Sequence, residues 1–299
     1  MNQNFLALGS KYATYETAAF AVLPVPYDAT ASYRSGARRG PAAIIEASAH
    51  IEDFDDELRT ECHKSGIATL DEIDPHADGP GAMQEAIFKR ARRVVRDGKF
   101  LLALGGDHSI TPALVRGVMT KYKSLSVLQI DAHCDLRDSY QGSRFSHACA
   151  MRRVLDLGAR IVPVGIRSVA LEEHRFMRRC GIEPITARDC LRDADWVEQA
   201  IDRLGQDVYV TIDIDGFDPS VAPGTGTPEP GGLDWYQVTG LLRRVALERR
   251  IVAADVVEVM PIPGQVCTEY LAARLVHKLM GYVHVQRVAA APRGGRRSA

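Results

Sequence analysis

Three short runs hold side chains of the kind that do chemistry, and their spacing says which kind. LQIDAHCDL sets Asp131, His133 and Asp135 at i, i+2 and i+4. In extended backbone alternate residues share a face, so all three would point one way, with Ala132 and Cys134 on the other. YVTIDIDGFDP repeats the device with Asp213 and Asp215. LLALGGDHSI puts His108 just past an apolar run, after two glycines that let the backbone turn sharply. Taken singly, His108 also reads as a core histidine and the 213/215 pair as a capping or salt-bridged feature. Together, these four carboxylates and two imidazoles are costly to bury on one rim unless something compensates their charge. A hydrogen-bond network would serve. Two divalent cations do it more simply, with Asp131 or Asp213 bridging both. A carboxylate-rich, thiolate-free set favours hard or borderline ions, manganese ahead of zinc.

Such a rim needs elements to build it. Short apolar, β-rich runs predict strands over 20–25, 67–70, 100–104, 126–130, 161–165, 208–214 and 251–259. Amphipathic periodicity predicts helices over 42–50, 83–97, 111–122, 149–157, 171–179, 196–204, 235–248 and 268–280. This alternation argues for an α/β fold with a largely parallel central sheet covered by helices on both faces. In such sheets ligand sites gather at the carboxyl ends of strands, where all three runs fall. No linker or repeat divides the chain. One domain is expected over 1–288, followed by a flexible basic tail over 289–299.

Composition narrows the partners. Lys plus Arg number 37 against 38 Asp plus Glu in 299 residues, so no excess charge invites nucleic acid or an anionic membrane. The longest uncharged stretch, 17–27, is far short of the roughly 20 residues that span a bilayer. MNQNFLALGSKYATYE shows neither a basic leader nor an apolar run of secretory length, so a cytoplasmic location is expected. Cys62, Cys134, Cys149, Cys180, Cys190 and Cys267 form no CxxC pair and read as reduced, small apolar fillers.

GGDHS, DAHCD and TIDIDGFDPSVAPG resemble the three signatures of the ureohydrolase family, which includes arginases, agmatinases and guanidino-acid hydrolases. The likeness runs from PYDATASYRSGARRGPAAI (26–44) to EVMP (258–261). It implies a single three-layer α/β/α domain, two Mn2+ per chain and assembly as a homotrimer or homohexamer. One ion would be held by His108, Asp131, Asp135 and Asp213, the other by Asp131, His133, Asp213 and Asp215. It further implies that Glu258 accepts the N–H groups of a guanidinium and so orients its carbon. Without the likeness Glu258 reads as a salt-bridged strand-end residue.

A guanidinium is resonance-stabilised and cationic, so unassisted water attacks it poorly. Two metals would lower the pKa of bound water toward about 7 and present hydroxide to the guanidinium carbon. The departing amine then needs a proton. His147 lies 12 residues after Asp135 in a loop able to fold back over the site, and is the candidate shuttle. Its bland reading is a loop or helix-cap histidine.

The loop LRDSYQGSRFS lacks the Asn-rich segment by which arginases hold an amino acid. The likeness is therefore closer to the agmatinase branch, giving urea and putrescine from agmatine, and Asp138 would favour a cationic substrate end. N1-aminopropylagmatine, guanidinobutyrate, guanidinopropionate and formiminoglutamate stay open as substrates. Two readings differ in class. A non-catalytic regulator of the same fold would be expected to have lost ligands, and a one-zinc deacetylase type would not need His133 and Asp215. Arg34, Arg38 and Arg39 in SYRSGARRG suit a site entrance, a subunit contact or a solvated loop. His50, His63, His76, His174, His277 and His284 have no spacing that joins the cluster.

Overall fold

The longest apolar runs leave no position for a wet face, and they become the middle of a sheet. The computed structural model describes residues 4–290. Among these residues there are eight strands: β1 (Phe20–Val25), β2 (Ile67–Thr69), β3 (Phe100–Gly105), β4 (Leu125–Ile130), β5 (Arg160–Ile166), β6 (Ile185–Thr186), β7 (Asp207–Asp213) and β8 (Arg250–Val257). Every residue of β1, β3 and β4 is buried. The strands form one all-parallel sheet in the order β2-β1-β3-β8-β7-β4-β5-β6.

Among the described residues ten α-helices accompany them: α1 (Ser10–Ala13), α2 (Gly40–Ser48), α3 (Pro80–Arg96), α4 (Thr111–Val118), α5 (Ala150–Asp156), α6 (Leu171–Cys180), α7 (Ala187–Arg192), α8 (Trp196–Arg203), α9 (Trp235–Glu248) and α10 (Cys267–Ala290). Strand alternation divides the core in two. Phe20 and Val22 pack with α2, α8, α9 and α10, while Ala21, Leu23 and Val25 pack with α3, α4, α5 and α6. The result is a single α/β domain whose parallel sheet is sandwiched between helical layers, as the alternation predicts.

The differences are local. β6, α1 and α7 were not anticipated, because two to six residues are too few to display a period. α10 runs ten residues beyond the expected end at 280, straight through Gly281. A Cβ on Gly281 would meet Leu58 Cδ1 at 3.0 Å, so this glycine makes room for a neighbouring loop rather than ending a helix. Ala289 and Ala290, read as the start of the tail, belong to α10, and 291–299 lie outside the described residues. No helix among the described residues is long and apolar enough to cross a membrane.

Candidate metal centre

The carboxyl ends of four adjacent strands, β3, β8, β7 and β4, carry the chemistry. Register sets the level: Ile130 lies opposite Ile212 and Asp213 opposite Val257, so Asp131, Asp213 and Glu258 leave neighbouring strands side by side. β3 must turn at once to bring His108 in. A Cβ on Gly106 would stand 1.8 Å from the Tyr27 carbonyl oxygen, so the turn admits only glycine there.

The simple alternation expected for 131–135 does not hold. β4 stops at Ile130, and Asp135 takes a left-handed backbone with φ 52°. Asp131, His133 and Asp135 converge because a loop curls them together, not because one strand face presents them. Asp215 likewise lies beyond β7, in a 3-10 turn over Ile214–Gly216 that Asp213 caps by accepting the Asp215 N–H at 3.0 Å.

All six side chains nonetheless meet. His108 Nδ1 stands 3.2 Å from Asp131 Oδ2, 3.1 Å from Asp135 Oδ2 and 3.4 Å from Asp213 Oδ2. His133 Nδ1 stands 3.0 Å from Asp215 Oδ2 and 3.7 Å from Asp131 Oδ1. Two groups, His108/Asp131/Asp213 and Asp131/His133/Asp215, each gather possible ligand atoms within 4.8 Å, and they share Asp131. Asp213 falls in the first group only, its other oxygen being held by the Asp215 N–H.

Several features fit this donor set to a pair of cations. His108 Nδ1 is buried without a hydrogen-bond partner while facing three carboxylate oxygens. Its other nitrogen, Nε2, lies 2.9 Å from Thr211 Oγ1, which donates to Asp255 Oδ1 at 2.6 Å. Since Thr211 has spent its proton on Asp255, it can only accept from Nε2–H, and Nδ1 is left with the lone pair a metal requires. Asp255 is itself pinned by the hydroxyls of Thr111 and Tyr209, at 2.8 and 2.6 Å.

Electrostatics agrees. Burial and repulsion from Asp215 push Asp131 up to about 6, and burial with Asp215 and Asp131 pushes Asp213 well above the carboxylate range. Burial disfavours a charged His133, yet Asp215 overrides it and holds the imidazole up to about 11. Burial disfavours a charged His108 too, and Asp131, Asp135 and Asp213 raise it all the same. Asp215, by contrast, is paired with His133 and is lowered against the cost of burial. Without cations from outside, the cluster must hold protons in their place.

Above these groups opens a cleft of about 220 Å³, lined among others by Glu258, His147, Tyr33, Arg34, Tyr140 and Thr227. Glu258 takes a left-handed backbone with φ 63° just past β8. Its Oε1 accepts the His108 N–H at 2.8 Å, and burial, with Asp107 nearby, raises its pKa well above the usual carboxylate value. His147 sits on the opposite loop, its Nδ1 3.3 Å from Thr30 Oγ1 and its Nε2 3.5 Å from Ser32 Oγ.

Other expectations fall out differently. Asp138 does not reach the cleft: its carboxylate is bound by Arg153 at 2.7 Å and Arg144 at 3.3 Å, already neutralised. Arg34 lines the cleft, whereas Arg38 ties its loop to buried Asp28 through Nε at 2.5 Å. Arg39 borders a neighbouring groove with Pro261 and Pro263. His50, His76 and His174 are exposed, His63 and His277 are buried, and His284 bonds Ser65; none joins the rim. His63 does face Asp53 at 3.5 Å in a separate group with Glu61, but Glu61 is ion-paired with Lys64.

The supporting residues were not anticipated. Asp255 had a signal, a lone carboxylate inside the apolar run RIVAADVV. Arg167 had none, yet it donates to the carbonyls of Gly165, Asp215, Gly216, Phe217, Glu229 and Pro230, binding the Asp215 turn to its neighbouring loops.

The chain is similar to known proteins. A family model described as the Arginase family matches residues 18–281. The N(1)-aminopropylagmatine ureohydrolase of Synechocystis is 42% identical over 276 residues, covering 90% of each chain. The agmatinase of Pyrococcus horikoshii is 35% identical over 263 residues, 88% of this chain and 91% of that one. The solved agmatine ureohydrolase of Thermoplasma volcanium superposes with a TM-score of 0.85 at 32% identity, covering 95% of this chain and 98% of that one.

Proposed function

This chain belongs to the arginase family, and from that premise we propose that it is a binuclear manganese hydrolase that splits agmatine into urea and putrescine. The observation that carries the reading is the buried, partnerless Nδ1 of His108 aimed at three carboxylates, beside a second group that shares Asp131. His108, Asp131, Asp135 and Asp213 would hold one ion; Asp131, His133 and Asp215, with Asp213, the other. When bound, such ions neutralise the carboxylates and bring the pKa of a water toward about 7.

The chain's own residues do the rest. Glu258 has one oxygen committed to the His108 N–H and the other free toward the cleft beside Gly226, where it can take guanidinium N–H groups and fix the carbon over the ions. His147, across the cleft, carries a proton to the departing amine. Thr227, the Tyr33 loop and Tyr140 narrow the entrance and limit bulk water. Assembly as a homotrimer or homohexamer and a cytoplasmic location complete the reading.

One observation favours a longer amine: the Synechocystis relative carries the name of N(1)-aminopropylagmatine ureohydrolase at 42% identity. The test is urea release by the manganese-loaded protein across agmatine, N1-aminopropylagmatine, guanidinobutyrate, guanidinopropionate and arginine. The reading expects the two amine-ended compounds to lead and bound metal to approach two per chain. Urea from none of the five, or arginine ahead of the rest, overturns it. One metal per chain would instead point to deacetylase-type chemistry, and none to a regulator.

A further inference from the structure

His147 alone does not explain why it should move protons from one particular nitrogen. Behind it stand two residues that belong to neither ion group, Thr30 and Asp107. Asp107 is fully buried, and its carboxylate takes four donors: Ser109 N–H at 3.1 Å, the Ser109 hydroxyl, Thr30 N–H at 2.9 Å and Thr30 Oγ1 at 2.8 Å. Thr30 Oγ1 in turn receives the His147 backbone N–H at 2.9 Å and lies 3.3 Å from His147 Nδ1. A threonine hydroxyl owns one proton and two lone pairs. The proton goes to Asp107 and one lone pair to the His147 N–H, so the remaining lone pair can only accept from Nδ1.

We infer that Asp107 and Thr30 are positioning residues that lock His147 in the Nδ1–H form, turning the free lone pair of Nε2 toward Ser32 and the cleft. The inference rests on the reading of His147 as proton shuttle. In each turnover Nε2 takes up one proton and hands one on, while Nδ1 keeps its own. The arrangement is a carboxylate, a hydroxyl and an imidazole in series, with the hydroxyl where a direct carboxylate–histidine contact stands in hydrolytic triads. Its rival is Ser146, whose Oγ lies 3.4 Å from the same Nδ1 and, by donating, would enforce the opposite tautomer.

The test uses manganese-loaded full-length protein with agmatine and N1-aminopropylagmatine as probes. A positioned general acid–base contributes about 10²–10⁴-fold, and His147→Asn should lose that much of kcat at unchanged metal content. Thr30→Val should lose about 10–100-fold, the usual range for an orienting partner. Its KM should stay within about threefold, Thr30→Ser should restore most of kcat, and Ser146→Ala should be near wild type. Adding Thr30→Val to His147→Asn should cost nothing more, because an orienting group has nothing left to orient. Four results overturn the inference: wild-type kcat in Thr30→Val, a Thr30→Ser variant no better than Thr30→Val, an additive double variant, or Ser146→Ala as slow as Thr30→Val. Normal turnover by His147→Asn would instead remove the shuttle itself, and the relay with it.

Discussion

Two knots of buried charge can be set side by side, one under α10 and one at the rim of the sheet. Under α10, Lys278 Nζ reaches Asp55 Oδ1 at 2.8 Å and Glu57 Oε2 at 2.6 Å, while Arg243 and Tyr282 also hold Glu57. Burial alone would raise both acids, but the ammonium wins and brings each below its ordinary value. At the rim four aspartates face two imidazoles; Asp131 sits at about 6, Asp213 well above its usual value, and His108 Nδ1 has no partner. The first knot brings its own cation and is finished when the chain folds. The second is short of positive charge, which on the proposed reading would come from outside. Raised Asp131 and Asp213 beside a partnerless imidazole nitrogen set the rim apart, although Asp215, paired with His133, shifts down as Asp55 and Glu57 do.

That contrast can be broken, most sharply at its shared carboxylate. Changes just outside a ligand shell cost about 10–100-fold, so Asp131→Asn should cut urea release beyond that range and drop bound manganese below two per chain. Near-normal metal content by elemental analysis would make the rim a mere polar network. Lys278→Met does the converse. It strands the buried Asp55, Glu57 keeping Arg243 and Tyr282, and should destabilise the fold by about 3–5 kcal/mol in denaturant melts, with kcat and metal content kept. A cost under about 1 kcal/mol would mean the α10 knot is no more self-sufficient than the rim.

Smaller effects sharpen it further. Asp255→Asn loosens the Thr211–His108 orientation and should weaken manganese binding about 10–100-fold while leaving the stoichiometry at two under saturation. Loading the metal-free protein at pH 8 should release protons, because His133, held at about 11, must give up its proton to become a ligand. Manganese affinity therefore rises with pH below that value. Calorimetry in two buffers of different ionisation heat reads the number, and zero release would contradict the assignment. The mildest effect is acid sensitivity at the α10 knot. Folded-state pKa values of Asp55 and Glu57 lie below their unfolded ones, so their stabilisation is present above about pH 4–5 and fades as pH falls through the lower folded values. Lys278→Met should flatten that slope, and an unchanged slope would assign it to other groups.

Much of the fold could be read in advance because buried parallel strands leave an unmistakable mark: FLLALG and LSVLQI have no polar face to confuse with a helix. β6 and α7 left no such mark, since Ile185–Thr186 and Ala187–Arg192 are held by their neighbours and a capping box at Thr186 rather than by any pattern of their own. At the site the candidate donor types were legible but their geometry was not. Asp135 reaches the cluster through a left-handed residue where an extended one was expected, and Asp138 is diverted by Arg153 and Arg144.

By itself the sequence determined the elements and the donors: apolar runs that must be buried, and aspartates and histidines at their ends that are costly to bury alone. Tertiary structure decided which atoms face which. The free nitrogen of His108 depends on Thr211, 103 residues away, and the orientation of His147 on Thr30, 117 residues away. Spacing along a chain constrains only near neighbours, whereas a hydrogen bond constrains whatever the fold sets within about 3 Å. The register that sets Ile130 beside Ile212 is what turned separate motifs into one site.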